Sequence, residues 1–360
     1  MRISSIDYLR SIAAFSVILI HTHPFQGAFQ YLNTNPALII EATIETIIIM
    51  LSKFAIPFFF IIAGYFMGKK IHNGLSPIGT ASHYLAKLLK IWFFWVIFYL
   101  LFPFPTNLPD NISIMDINYM DALSAKLNFF IQNPTLLLID GGAGHLWFFP
   151  SLIIALLAVI ALLNLNMSNI IMPISCIGYG LNLIFAGAYS EASLAETINN
   201  FSMSNFNISI SHSVVIDYYC VSIFFVSLGW WFSTKEITLK PRYSLLIAGI
   251  GLAVYLLEFC LLGGDLSHSP GVVAYSVGLT LYAISRPDLG KDSLIAKWGR
   301  YSLGVYGGHL LFCQLLSPVD YALTSVFVWH IVFPISVYFL SLLLAMLLAT
   351  NKWLRNMSMS

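Results

Sequence analysis

Residues 146–164 read LWFFPSLIIALLAVIALLN, nineteen consecutive positions without a charged side chain. A helix rises 1.5 Å per residue and a bilayer's hydrocarbon core is about 30 Å thick, so a run of about 20 apolar residues is what crosses it. The run does not alternate as a membrane-barrel strand does, and backbone groups in hydrocarbon must bond within their own segment, so the stretch is read as a spanning helix. The same reading applies near 7–23, 44–66, 84–104, 170–188, 214–233, 243–262, 270–285, 301–317 and 327–349. The expected fold is therefore all-α: a polytopic bundle of about ten spans forming a single integral-membrane domain over 1–360, with no soluble domain.

Composition points the same way. Of 360 residues, 58% are hydrophobic and 9% charged, against roughly 25% charged in a soluble domain. Water cannot accommodate that much apolar surface, so the lipid bilayer is the chain's first partner. An even number of spans places both termini on one side. All but Lys53 and Lys126 of the 17 Lys and Arg residues fall at one set of loops and helix ends, which the positive-inside rule makes cytoplasmic. The first apolar stretch contains Asp7, Arg10 and His21 and lacks a small-residue cleavage site, so it is expected to stay as a span. The net charge of +1 gives no reason to expect a nucleic-acid partner. Cys176, Cys220, Cys260 and Cys313 lie in apolar runs without paired spacing and read as small core hydrophobes. The longer outward loops, near 105–145 and 189–213, are polar enough to cover a substrate site, although loops of that size also serve merely to connect helices.

Polar side chains inside a span are costly, so each needs a reason. The first span, IDYLRSIAAFSVILIH (residues 6–21), holds three. Arg10 and His21 are eleven positions apart, which at about 100° per residue returns to within about 20° of the same face. Asp7 stands three residues before Arg10 and can pair with it. One stripe thus carries an ion pair at the cytoplasmic end and an imidazole about 16 Å further out. A bland reading is a juxtamembrane anchor plus an interfacial histidine. The functional reading is that Arg10 grips a phosphate and His21 acts as general base, serving a long, thin cosubstrate laid along the helix. His21 and His23 are two apart and point in different directions, and no His-Glu-x-x-His or phosphate-loop run occurs, so neither a metal nor a bound cofactor is expected. Glu258 and Asp217 also lie in apolar runs and are candidates to line a cavity, although both stand near outer ends where water is within reach.

The chain resembles the acyltransferase 3 family of bacterial inner-membrane enzymes. The Arg10–ten residues–His21 spacing preceded by Asp7, PFFFIIAGYF at 57–66 with Ala63 where the family usually has serine, HLWFF at 145–149 and YSLGVYGGH at 301–309 match its signatures in order. The resemblance implies transfer of an acyl group, commonly acetyl, from cytoplasmic acyl-coenzyme A to a hydroxyl of a cell-envelope carbohydrate or its lipid-linked precursor. It implies a catalytic role for His21, with Arg10 next, and a donor-binding pair at Lys87 and Lys90, where the family has arginines. Coenzyme A is strongly anionic, and Lys69 and Lys70 would join these cations around its phosphates. The resemblance also raises His145 and Trp147 as acceptor-binding residues, otherwise an interfacial pair. His309, behind Gly307 and Gly308, is read either as a substrate contact or as a buried, hydrogen-bonded histidine.

Two other readings compete with an O-acyltransferase: a transporter or exporter of a polar metabolite or glycan intermediate, using the same charges as its pathway, and an inactive subunit of an envelope-synthesis complex. Internal duplication would favour transport, and no clear repeat is present.

Overall fold

The computed structural model describes residues 3–26, 38–102, 119–132, 134, 143–185, 216–235, 239–263, 266–323 and 326–359. Every regular element among them is helical. In chain order these are α1 (Ser4–Thr22), α2 (Ile39–Ser52), α3 (Ala55–His72), α4 (Pro77–Leu101), α5 (Tyr119–Gln132), α6 (Phe148–Asn164), α7 (Ile171–Phe185), α8 (Val221–Thr234), α9 (Pro241–Leu262), α10 (Pro270–Ser285), α11 (Leu294–Trp298), α12 (Ser302–Leu323), α13 (Phe327–Thr350) and α14 (Lys352–Ser358). Short 3₁₀ turns, Gly144–Trp147 and Gly299–Tyr301, lead into α6 and α12, and a π turn at Ile216–Cys220 leads into α8. Among the described residues five segments are long and apolar enough to cross a bilayer: Ile39–His72, Pro77–Leu101, Gly144–Asn164, Pro241–Leu262 and Phe327–Thr350. Ser168–Ile184 and Pro270–Ser285 are apolar but shorter.

The boundaries follow local chemistry. The run expected as one span over 44–66 is two helices meeting at Lys53, because Pro57 has no N–H to donate to the Lys53 carbonyl four residues back. Lys53 instead sends its ammonium to Ser267 Oγ at 2.7 Å. The helix expected from 84 starts at Pro77, where Ser76 Oγ accepts from the Gly79 N–H and proline occupies the first turn. The same device, Ser269 before Pro270, begins α10 where the sequence placed it. The outward segment expected as a loop near 105–145 contains α5, tied down by Tyr119 Oη to Leu101 O (2.8 Å) and Lys126 Nζ to Tyr99 O (2.9 Å). The stretch near 189–213 lies outside the described residues.

The first helix sits at the centre. Ile6, Leu9, Ala13, Ala14, Val17 and Ile18 are buried in one large core shared with α3, α4, α6, α8, α12 and α13. Two polar bonds hold its inner half: Ser5 Oγ to Ala283 O at 2.6 Å and Ser11 Oγ with Tyr338 Oη at 2.8 Å. Small residues set the closest approaches. A Cβ on Gly64 would collide with the Val226 carbonyl and one on Gly229 with that of Ile61, so α3 and α8 pack backbone to backbone. A Cβ on Gly307 would enter the Trp95 indole, which fixes α12 against α4.

Two expectations are corrected. Cys176 and Cys260 are exposed on the outside of the bundle, not in its core, while Cys220 and Cys313 are half-buried. Apolar flanks are compatible with lipid contact as well as with a core, and periodicity alone does not separate them. Glu258 is buried, not at an open cavity wall: it accepts the Gly271 N–H at 3.2 Å, satisfying a donor in the first turn of α10. The side chain of Asp217 lies outside the described residues.

Candidate active site

Two polar regions lie at opposite ends of α1. At its C-terminal end His21 meets His309 of α12 and His145 of the 3₁₀ turn before α6. The ring centres of His21 and His309 are 5.0 Å apart, those of His145 and His309 5.0 Å, and those of His21 and His145 6.5 Å. His21 is exposed, whereas His145 and His309 are 1% and 0% exposed.

The two buried rings are held by the backbone of α12. His309 Nδ1 lies 2.6 Å from Tyr306 O and His145 Nε2 3.2 Å from Gly307 O. A carbonyl can only accept, so in each case that ring nitrogen carries the proton, and the other nitrogen presents a lone pair; this tautomer is assigned from the bonding. Those lone pairs, on His309 Nε2 and His145 Nδ1, are buried and have no hydrogen-bond partner among the described residues. Buried acceptors are costly to leave unpaired. A hydroxyl or imidazole N–H entering beside His21 would satisfy them. The hydroxyls of Tyr99, to Gly307 O at 2.8 Å, and Tyr306, to His145 O, complete the frame. Gly307 matters twice here: its missing side chain admits Trp95, and its carbonyl receives both Tyr99 and His145. Among the described residues no group of three or more His, Cys, Asp or Glu is arranged to hold a metal ion.

At the N-terminal end of α1 lies a cavity of about 790 Å³. Asp7 and Arg10 line it, paired at 3.2 Å. Lys69, Lys70, Lys87, Arg300 and Arg355 also line it, so among the described residues six cations face a single carboxylate. Aromatic faces support several of them: Arg10 over Phe66 (5.4 Å), Lys70 over Tyr84 (4.4 Å) and Arg300 over Tyr301 (4.6 Å). Such contacts position a cation without neutralising it, so the cavity keeps a strong positive potential. Further in, its lining turns apolar, with Phe59, Phe148, Leu152 and Leu156. Phe148 packs 5.3 Å from Tyr306, so an aromatic layer stands between the cavity and the histidine frame.

The residues expected from sequence divide as follows. Asp7, Arg10 and Lys87 line the cavity, while Lys90, one turn further along α4, is exposed and off its lining. His21, His145 and His309 come together. Trp147 does not join their ring contacts; it stacks on Tyr218 (4.3 Å, 18°) and packs against Phe60. Sequence reading missed Arg300 and Arg355 as cavity residues. Both were assigned only to topology, and neither carries a local pattern that brings it back to α1.

A family model described as an acyltransferase domain matches residues 3–350. The chain belongs to the acyltransferase 3 family. The family match and the five long apolar segments together mark a membrane protein. Two curated relatives from Enterococcus faecalis, each named an amino-acid racemase, are similar to parts of it. One is 30% identical over 165 residues, 45% of this chain and 20% of the relative; the other is 24% identical over 203 residues, 51% of this chain and 24% of the relative. The chain thus spans about a quarter or less of those longer proteins. No solved structure matches it.

Proposed function

We propose that this acyltransferase moves an acyl group, commonly acetyl, from cytoplasmic acyl-coenzyme A to a hydroxyl of a cell-envelope carbohydrate or its lipid-linked precursor. The observation that carries this reading is one helix joining two sites: α1 bears Arg10 in a cation-lined cavity at one end and His21 in a histidine frame at the other. A donor with phosphates at one end and a thin thioester arm matches that polarity, with the arm passing the apolar wall at Phe59 and Phe148. The enzyme has about ten spans with both termini in the cytoplasm of a bacterial cell, in the inner membrane, and needs no bound cofactor.

In the reaction His21 removes the proton from the acceptor hydroxyl as its oxygen attacks the thioester carbonyl. The carbon–sulfur bond breaks, the ester forms, and the proton held on His21 passes to the departing thiolate. The lone pairs of His309 and His145 accept hydrogen bonds from the acceptor's neighbouring hydroxyls and so hold the reacting one against His21. Asp7 holds the Arg10 guanidinium in place, and Arg10 and Lys87 bind donor phosphate. The family match, whose model describes an acyltransferase domain, supports transfer over the competing class, transport.

The test is acyl transfer by the purified protein, followed as thiol release from acetyl-coenzyme A with carbohydrate acceptors. His21→Ala is expected to lower the acceptor-dependent rate by about 10²–10⁴-fold while donor binding persists. Equal rates in wild type and His21→Ala would remove His21 from the chemistry.

A further inference from the structure

The cavity wall has a contributor that the first helix and the α3–α4 lysines do not account for: the last seven-residue helix. This short helix, α14, is tied at both ends. Asn351 caps its start by accepting from the N–H groups of Trp353 (2.8 Å) and Leu354 (3.3 Å). At its other end Trp95 Nε1 donates to Ser358 O at 3.2 Å, and Met359 is buried against Gly304. A helix so fixed delivers Arg355 to the cavity lining. Arg300 reaches the same lining from the 3₁₀ turn before α12, braced by Tyr301, whose hydroxyl it meets at 2.6 Å.

We infer that Arg300 and Arg355 form a second anion-binding station, separate in the chain from Arg10, that holds phosphate at the nucleotide end of the donor. This rests on the acyl-transfer reading above. Among the described residues Arg355 has no carboxylate partner, and Asp7, the one carboxylate of the lining they form, is already paired with Arg10. Arginines needed only for topology require neither a capped helix nor a place in a cavity wall. A guanidinium forks onto two phosphate oxygens, which suits it to a fixed position in a way a flexible surface lysine is not. An extended polyanion spanning both stations would be oriented with its thioester arm toward the apolar end, and the donor site would be complete only once the last helix has docked.

The shared chemistry, a phosphate, could come from the donor or from an anionic lipid headgroup, so the experiment separates them. The full chain is placed in nanodiscs of phosphatidylcholine alone, and in others containing phosphatidylglycerol, and acetyl-coenzyme A binding is measured by calorimetry. In phosphatidylcholine, Arg355→Gln and Arg300→Gln are each expected to weaken binding about tenfold or more, with a shallower dependence on salt, and Arg355→Lys to recover part of the loss. Thermal unfolding identifies any variant that has lost its fold, and the two sites test the idea independently. Wild-type affinity in both folded Gln variants overturns the inference, and so does a loss confined to phosphatidylglycerol discs, which assigns the station to lipid. If Arg10→Gln abolishes binding while both Gln variants keep it, only the second station falls. If the wild type binds no acetyl-coenzyme A, the acyl-transfer reading falls with it.

Discussion

The imidazole of His309 lies 5.0 Å from that of His21, with its Nδ1 bonded to the carbonyl of Tyr306 one turn back and its Nε2 buried and unpartnered. Residues 288 positions apart in the chain are thereby brought side by side, His21 as the base of the proposed reaction and His309 as a fixed acceptor. The local cause is the i, i+3 bond within α12, which sets the tautomer before any substrate arrives.

That arrangement makes His309→Phe informative. The ring volume is nearly kept, but the acceptor nitrogen is lost. Transfer is expected to fall about tenfold to a hundredfold, the worth of one hydrogen bond to a group at the reacting centre, with acetyl-coenzyme A affinity unchanged. A larger loss in donor affinity than in rate would place His309 at the wrong end of the enzyme.

The two α4 lysines separate in the structure although the sequence treats them alike. Lys87→Ala should raise the KM for acetyl-coenzyme A about tenfold, as expected for a lost phosphate contact. Lys90→Ala should leave it within about twofold, as for an exposed surface charge. Steady-state kinetics over a donor series decide between this pattern and a shared role.

Gly307→Ala should destabilise the fold by about 1–3 kcal/mol, because the added methyl must displace the Trp95 indole in a packed interface. It should also depress activity, since the carbonyl of the same residue receives both Tyr99 and His145. Thermal unfolding in detergent together with turnover measures both; a variant as stable as wild type would show that α4 and α12 do not meet as described.

Trp95→Phe removes the bond to Ser358 O, worth about 1 kcal/mol, and with it part of the anchor of α14. Faster proteolysis of the C-terminal segment and weaker donor binding are expected together. Loosening without any effect on donor binding would separate α14 from the cavity.

Much of the site's inner end was legible because it is local. Asp7 and Arg10 are one helical turn apart, and the eleven-residue spacing to His21 follows from the helical repeat alone, so a single helix carries the argument. Helix starts at Ser76–Pro77 and Ser269–Pro270 are likewise local chemistry, although the sequence reading used only the second boundary. Less was legible where two readings share one pattern. Lys87 and Lys90 look equivalent until the reach of the cavity along α4 is known, and Trp147, an aromatic at an expected interface, is as consistent with a sugar platform as with the Tyr218 stack it makes.

The sequence alone determined that this chain lives in a bilayer as helices, that its first helix carries a cation and an imidazole on one stripe, and which family its motifs resemble. Those properties depend on transfer free energy and on the 3.6-residue repeat, which are summed along the chain. Only the tertiary structure decided that His145 and His309 close around His21 and that Arg300 and Arg355 share the cavity of Arg10. These are contacts between segments far apart in sequence, set by which helices can approach closely through Gly64, Gly229 and Gly307, and no periodicity records them.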